Sequence, residues 1–177
     1  MKNLNFFEIK SKSKILNDLV SIKDNNDPFV DYFNFDVKFV SPDVINKDPF
    51  LCALNKSHRF NAAILRINQN SIYNWHIDDN RGVSVNMLID GGASHCIFTN
   101  EEYAVVNNIQ ELKYEPKTYY ALNVQNYHSV INFEKPRYMF SLEFDEDKNI
   151  LTFDQLIKEM HGWSMGVNEW LRETLKD

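Results

Sequence analysis

Between Asn61 and Phe144 the chain is a succession of short apolar runs, four to seven residues long, separated by polar breaks. The runs are Ala62–Ile67, Ile72–Ile77, Val83–Ile89, Cys96–Thr99, Ile109–Tyr114, Tyr119–Val124, Ser129–Phe133 and Tyr138–Phe144. The breaks carry turn formers: Asn-Gln-Asn, Asp-Asp-Asn-Arg-Gly, Asp-Gly-Gly, Glu-Pro and Lys-Pro. Eight such runs at roughly ten-residue spacing predict an all-β sandwich or barrel over this stretch. A helical bundle or a parallel sheet over this stretch would contradict that reading.

The flanks read differently. Within residues 1–24 the rhythm Ile15, Leu16, Leu19, Val20, Ile22 predicts a helix. From Tyr32 to Val40 strict alternation of Phe33, Phe35, Val37 and Phe39 with polar residues predicts a strand. Pro42 to Lys56 carries only a weak signal, that of turns and one short helix. After Asp145 the period becomes helical. Phe153, Leu156, Ile157 and Met160 share one face of a first helix, and Val167, Trp170, Leu171 and Leu175 one face of a second. Both stripes are expected to pack outside the β-core. A length of 177 residues and 44 % hydrophobic content suit a single domain over 1–177. Its core is expected at about 61–144, with an N-terminal extension over 1–60 and C-terminal helices over 152–176.

A net charge of −6 and the lack of a basic stretch argue against nucleic-acid binding. Cys52 and Cys96 match no disulfide framework or zinc motif and are expected as reduced, partly buried thiols. No run approaches the roughly 20 apolar residues of a membrane span, and the N-terminus lacks the apolar run of a signal peptide. The expectation is a soluble, cytoplasmic protein.

His76 and Asp78 lie two apart in the strand-like segment Tyr73-Asn74-Trp75-His76-Ile77-Asp78. Period-two geometry places both side chains on one face. Alone, the pair is most simply a His–Asp hydrogen bond at a strand end. With one further histidine it becomes the two-His-one-carboxylate triad, which leaves open positions on iron(II) for a co-substrate and dioxygen. His128 follows fifty residues after Asp78, and Arg137 nine residues later. In the strand beginning there, Tyr138, Phe140, Leu142 and Phe144 form one face, and Arg137, Met139, Ser141 and Glu143 the other. An arginine in so apolar a strand needs an anionic partner. A dicarboxylate would supply one through a bidentate fork.

The series His76-x-Asp78, His128, Arg137 resembles the iron(II)/2-oxoglutarate-dependent oxygenases of the double-stranded β-helix, or jelly-roll, fold. The stretch Asn123-Val124-Gln125-Asn126-Tyr127-His128-Ser129-Val130-Ile131-Asn132 is also similar to the distal-histidine region of the aspartyl/asparaginyl β-hydroxylase-like branch. The resemblance covers about Asn61 to Phe144. It implies a mainly β, cupin-like jelly roll with flanking helices, and iron(II) held by His76, Asp78 and His128. It also implies 2-oxoglutarate as co-substrate, with its far carboxylate on Arg137, and dioxygen as oxidant. The implied activity is hydroxylation of a protein or peptide side chain, a free amino acid or another small molecule. Several relatives carry Ser or Thr two residues after the arginine, where this chain has Met139; Ser141 is the candidate to replace it. Many members of the β-hydroxylase branch lack the carboxylate ligand that Asp78 provides here, so the chain is not assigned to that branch.

Asn86 and Ser84 interrupt one apolar strand, and Asn123 and Gln125 the end of another. Such groups need partners. Asn86 is thereby a second candidate contact for the co-substrate. Arg81 reads as a solvated loop charge, Tyr73 and Trp75 as packing on the face opposite the metal motif. His58 reads as structural, and His95 and His161 as surface residues. The rival reading is a cupin-like metal- or ligand-binding domain without oxygenase activity.

Overall fold

The computed structural model describes residues 4–32, 35–99 and 107–162. The strands are β1 (Phe6–Lys12), β2 (Val30–Tyr32), β3 (Phe35–Phe39), β4 (Phe60–Ile67), β5 (Ser71–His76), β6 (Ser84–Asp90), β7 (Ser94–Thr99), β8 (Gln110–Leu112), β9 (Thr118–Leu122), β10 (Tyr127–Asn132) and β11 (Arg137–Phe144). They form a seven-stranded sheet, β1-β9-β6-β11-β4-β3-β2, and a four-stranded sheet, β5-β10-β7-β8. All pairings are antiparallel. From β4 onward successive strands alternate between the sheets, apart from β7 and β8, which are neighbours in the small sheet; this is the winding of a double-stranded β-helix. The expected fold class is the one observed.

Side-chain alternation sorts the residues into two layers. Ile64 on β4, Val85 and Met87 on β6, Tyr119 and Ala121 on β9, and Phe140 and Leu142 on β11 face outward from the large sheet. There they meet Leu19 of α1 (Leu16–Asp24), Leu51 and Leu54 of α3 (Pro49–Ser57), and Phe153, Leu156, Ile157 and Met160 of a helix over 153–162. Each buried Val, Leu, Ile, Phe or Met side chain among them contributes about 1.5–3 kcal/mol relative to exposure. Between the sheets a smaller cluster holds Cys96, Phe98, Leu112, Tyr120, Leu122, Val124 and Val130. The smaller cluster leaves room in the inter-sheet space for polar side chains, and the candidate site lies there.

The N-terminal residues hold the expected helix, α1, and ahead of it a strand that sequence reading did not mark. Residues 6–12 are a strand, β1, and the helix starts only at Leu16. In β1 only Ile9 is fully buried, so the local pattern carries no visible period. Its conformation follows from pairing with the otherwise free edge of β9, with Phe6 opposite Leu122. The strand expected over Tyr32–Val40 is instead a hairpin, with Tyr32 of β2 paired to Phe35 of β3. The turn-rich stretch before β4 holds two helices, α2 (Pro42–Ile45) and α3. Asp48 starts α3: its Oδ1 accepts from the backbone N–H of Phe50 (3.0 Å) and Leu51 (3.3 Å), with Pro49 in the first turn. Oδ2 accepts from Lys14 N–H and from the Tyr119 hydroxyl, both at 2.9 Å, tying α3 to the sheet. The second C-terminal helix expected over 166–176 lies outside the described residues. No described helix is long and apolar enough to cross a membrane.

Candidate metal and co-substrate site

β5 and β10 lie side by side in the small sheet with His76 opposite His128. The next register pair is Tyr73 with Val130, so β5 spends one residue more than β10 between the two pairs. This β-bulge inverts the alternation at Asn74–Trp75. Tyr73 and His76 therefore face the same side, with ring centroids 4.2 Å apart. That overturns the expectation of Tyr73 on the opposite face. β5 ends at His76, so Asp78 is placed by the loop rather than by strand period. The Asp78 N–H donates to Val124 O at 2.9 Å, which brings its side chain back under the two rings.

The three side chains converge. Asp78 Oδ1 lies 3.6 Å from His76 Nε2 and 3.8 Å from His128 Nε2, and one ligand atom from each residue falls within 4.8 Å of the others. Among the described residues, this is the one group of three or more His, Cys, Asp or Glu arranged so. Both imidazoles are oriented by backbone carbonyls two residues upstream: His76 Nδ1 is 2.7 Å from Asn74 O, and His128 Nδ1 is 3.0 Å from Asn126 O. Each Nδ1 thus carries the proton, and each Nε2 turns its lone pair inward. Burial, reinforced by the neighbouring His76, pushes the His128 pKa down to about 4. The ring is therefore held neutral, the form that ligates metal.

Asp78 is 8 % exposed and has its second oxygen engaged. Arg81 Nε and Nη2 lie 2.7 Å and 2.6 Å from Asp78 Oδ2. Arg81 is thus not the solvated loop charge its sequence context suggests. Gln125 Nε2 donates to the carbonyls of Asp78 and Arg81, each at 2.7 Å, so its amide grips both ends of this turn. The three-residue spacing of Asp78 and Arg81 was visible in the sequence. Gln125 was legible only as a polar residue in need of partners; which ones was not, because they are backbone atoms brought close by the fold.

Arg137, the first residue of β11, points between the sheets and is 2 % exposed. Its Nη1 donates to Ser94 Oγ at 3.0 Å, and its guanidinium carbon sits 5.2 Å from the centre of the Tyr114 ring. Nη2 is buried with no hydrogen-bond partner, and no carboxylate of the described residues pairs with this cation. A buried guanidinium left so is costly, and an anionic ligand group would satisfy it. Ser94 and Tyr114 were not singled out by sequence reasoning, since Tyr114 comes from the far edge of the small sheet.

Ser141 and Asn86 are register partners on β11 and β6. Ser84 Oγ donates to Asn86 Oδ1 at 2.7 Å and lies 3.3 Å from Ser141 Oγ, so the three form one polar patch. Ser141 is on the same strand face as Arg137, about 13 Å along at the usual strand rise. The remaining histidines are engaged elsewhere. His58 lies between Glu146 (2.9 Å) and Glu159 (2.7 Å), His95 meets Glu111 at 2.7 Å on the surface, and exposed His161 stands edge-on to Phe7.

No family model matches the chain, and no curated protein matches its sequence. Solved structures do match. A Pseudomonas putida prolyl-4-hydroxylase is similar at 11 % identity and a TM-score of 0.59, over 80 % of this chain and 92 % of that one. A Trichoplax adhaerens prolyl hydroxylase, solved with a hypoxia inducible factor oxygen degradation domain peptide fragment, is similar at 13 % identity and 0.59, over 80 % and 84 %. HygX from Streptomyces hygroscopicus, solved with nickel, 2-oxoglutarate and hygromycin B, is similar at 12 % identity and 0.55, over 78 % and 81 %. At such identities the likeness is one of fold, and the fold this chain shares with them is the double-stranded β-helix.

Proposed function

We propose that this protein is an iron(II)- and 2-oxoglutarate-dependent dioxygenase acting as a hydroxylase. The observation that carries the reading is the buried, unpaired Arg137 in the same inter-sheet space as the convergent His76, Asp78 and His128. A metal-binding cupin needs the triad but has no use for an unsatisfied internal guanidinium. A dicarboxylate co-substrate accounts for both. His76 Nε2, Asp78 Oδ1 and His128 Nε2 would hold the metal, and Arg137, supported by Ser94, would take the far carboxylate of 2-oxoglutarate. Ser141 and Asn86 would line the wall of the same space. When bound, iron(II) and 2-oxoglutarate supply the oxidising chemistry: dioxygen is consumed, 2-oxoglutarate becomes succinate and carbon dioxide, and a C–H bond of the substrate is hydroxylated. This chain orients the ligands, excludes water around Arg137, and keeps the His128 imidazole neutral.

The substrate class we favour is a protein or peptide side chain or a free amino acid. It is supported by the likeness of residues 123–132 to the aspartyl/asparaginyl β-hydroxylase-like branch. The solved structures named above are prolyl hydroxylases and HygX and do not show that branch. They include one solved with a peptide and one with the small molecule hygromycin B. A small-molecule substrate therefore stays the alternative within the same activity.

The test is 2-oxoglutarate affinity and succinate formation, read beside iron(II) affinity, in Arg137→Ala and Arg137→Lys. Lysine keeps the charge but not the planar fork. Both variants should bind iron as the wild type does. Arg137→Ala should lose on the order of 2–5 kcal/mol of co-substrate binding, with Arg137→Lys between. Unchanged 2-oxoglutarate affinity in a folded variant would leave a non-oxidative cupin as the better reading.

A further inference from the structure

The two oxygens of Asp78 have different neighbours. Arg81 Nε and Nη2 both reach Oδ2, at 2.7 Å and 2.6 Å. Oδ1 takes neither, and faces His76 Nε2 and His128 Nε2. The backbone holds the arginine in this pose. Gln125 Nε2 lies 2.7 Å from the carbonyl oxygens of both Asp78 and Arg81, so the turn between them cannot open without losing at least one of these bonds. On the other side, Gly82 is pressed against the carbonyls of Lys148 and Leu151 so closely that a Cβ would stand 2.5 Å and 2.4 Å from their oxygens. The Asp78 side chain is 9 % exposed, so little water competes for Oδ2.

A carboxylate with both oxygens free can bind a hard cation through one or both. The second mode would fill one of the positions that a two-His-one-carboxylate site leaves open. Two charge-assisted hydrogen bonds on Oδ2 oppose it. We propose that Arg81 is a positioning residue that confines Asp78 to ligation through Oδ1 and so keeps open the metal position that the co-substrate needs. The inference rests on the oxygenase reading for its purpose, but the mode of ligation can be measured without turnover.

The probe is Mn(II), bound to the full chain without dioxygen chemistry. Water-proton relaxation counts its exchangeable waters, and calorimetry measures 2-oxoglutarate binding to the Mn(II) form. Arg81→Met keeps the stem and removes the donors. It should retain Mn(II) affinity within about tenfold, lose roughly one exchangeable water, and bind 2-oxoglutarate about 10–100-fold more weakly, the usual range for groups that orient a ligand. Arg81→Lys, which can still donate to Oδ2, should recover part of both losses. Gln125→Met frees the turn while leaving Arg81 and Asp78 in place. It should show the same changes in weaker form, and it carries the test if Arg81→Met does not fold. Wild-type water count and 2-oxoglutarate affinity in the folded variant would overturn the proposal. So would loss of Mn(II) itself, which would make Arg81 a determinant of affinity rather than of ligation mode. Wild-type Mn(II) protein that takes up no 2-oxoglutarate would defeat the oxygenase reading, and the water count would still decide the role of Arg81.

Discussion

Gly82 shows how tightly the loop after the metal motif is constrained. Its φ is not in the left-handed region, so backbone freedom is not why glycine stands there. The reason is contact: the segment from Arg81 runs directly against the backbone carbonyls of residues 148 and 151. Backbone cannot yield as a flexible side chain can. Gly82→Ala should therefore push the loop outward and cost about 1–3 kcal/mol, the usual range for overpacking. Because Arg81 adjoins Gly82, the same displacement should loosen Asp78. A thermal melt and an Mn(II) titration of the variant should show lower Tm and weaker metal binding together. A drop in Tm with untouched metal affinity would mean the loop absorbs the strain without moving Arg81.

At the scale of elements, a histidine links the helix over 153–162 to the rest of the fold. His58 caps α3, its Nδ1 2.9 Å from Glu146 and its Nε2 2.7 Å from Glu159 on that helix. Burial pushes the His58 pKa down, but Glu159 and Glu146 outweigh it and the net shift is upward. The sign follows from linkage. A folded-state pKa above the unfolded value of about 6.5 gives stability that is fully present below that value. It is lost as pH rises through the folded pKa. The gap in Tm between wild type and His58→Ala should thus be larger at pH 5.5 than at pH 8.5. Partly exposed ion pairs contribute about 1 kcal/mol or less, so the difference should be roughly 2–4 °C. An equal gap at both pH values would show that His58 acts by packing on Phe144 alone.

For the molecule as a whole, the site is a debt carried by the folded state. His76, Asp78, His128 and Arg137 are polar groups gathered in the inter-sheet space, and Arg137 Nη2 has no partner there. A ligand that binds the folded chain and not the unfolded one stabilises it by mass action, by about 2.7 kcal/mol at a hundred times its Kd. Saturating Mn(II) should therefore raise Tm by roughly 5–10 °C at that level. 2-Oxoglutarate added to the metal form should raise it further, and a chelator should reverse both. In His76→Ala neither rise should occur. A metal-induced shift that survives His76→Ala would place the ion elsewhere.

What the sequence determined by itself were the features with a local period or a short spacing. Each of the eight short runs between residues 62 and 144 holds a strand, because alternation and turn residues act within a few positions. His76, Asp78 and His128 were legible as a candidate ligand set from their residue types and spacing, although the bulge in β5 is what sets His76 opposite His128. Arg137 was legible as a cation in an apolar strand that demands an anion. Only the tertiary structure decided the rest. β1 is a strand because β9 has an edge to fill, and no pattern within residues 6–12 records that. The face of Tyr73 was decided by a bulge, one extra residue that strict period-two reading inverts. The Gln125 grip on the Asp78–Arg81 turn and the Ser94–Tyr114 surroundings of Arg137 join segments far apart in the chain. Their partners are backbone carbonyls and single side chains, groups every sequence contains. Only the packing of the two sheets selects which of them meet.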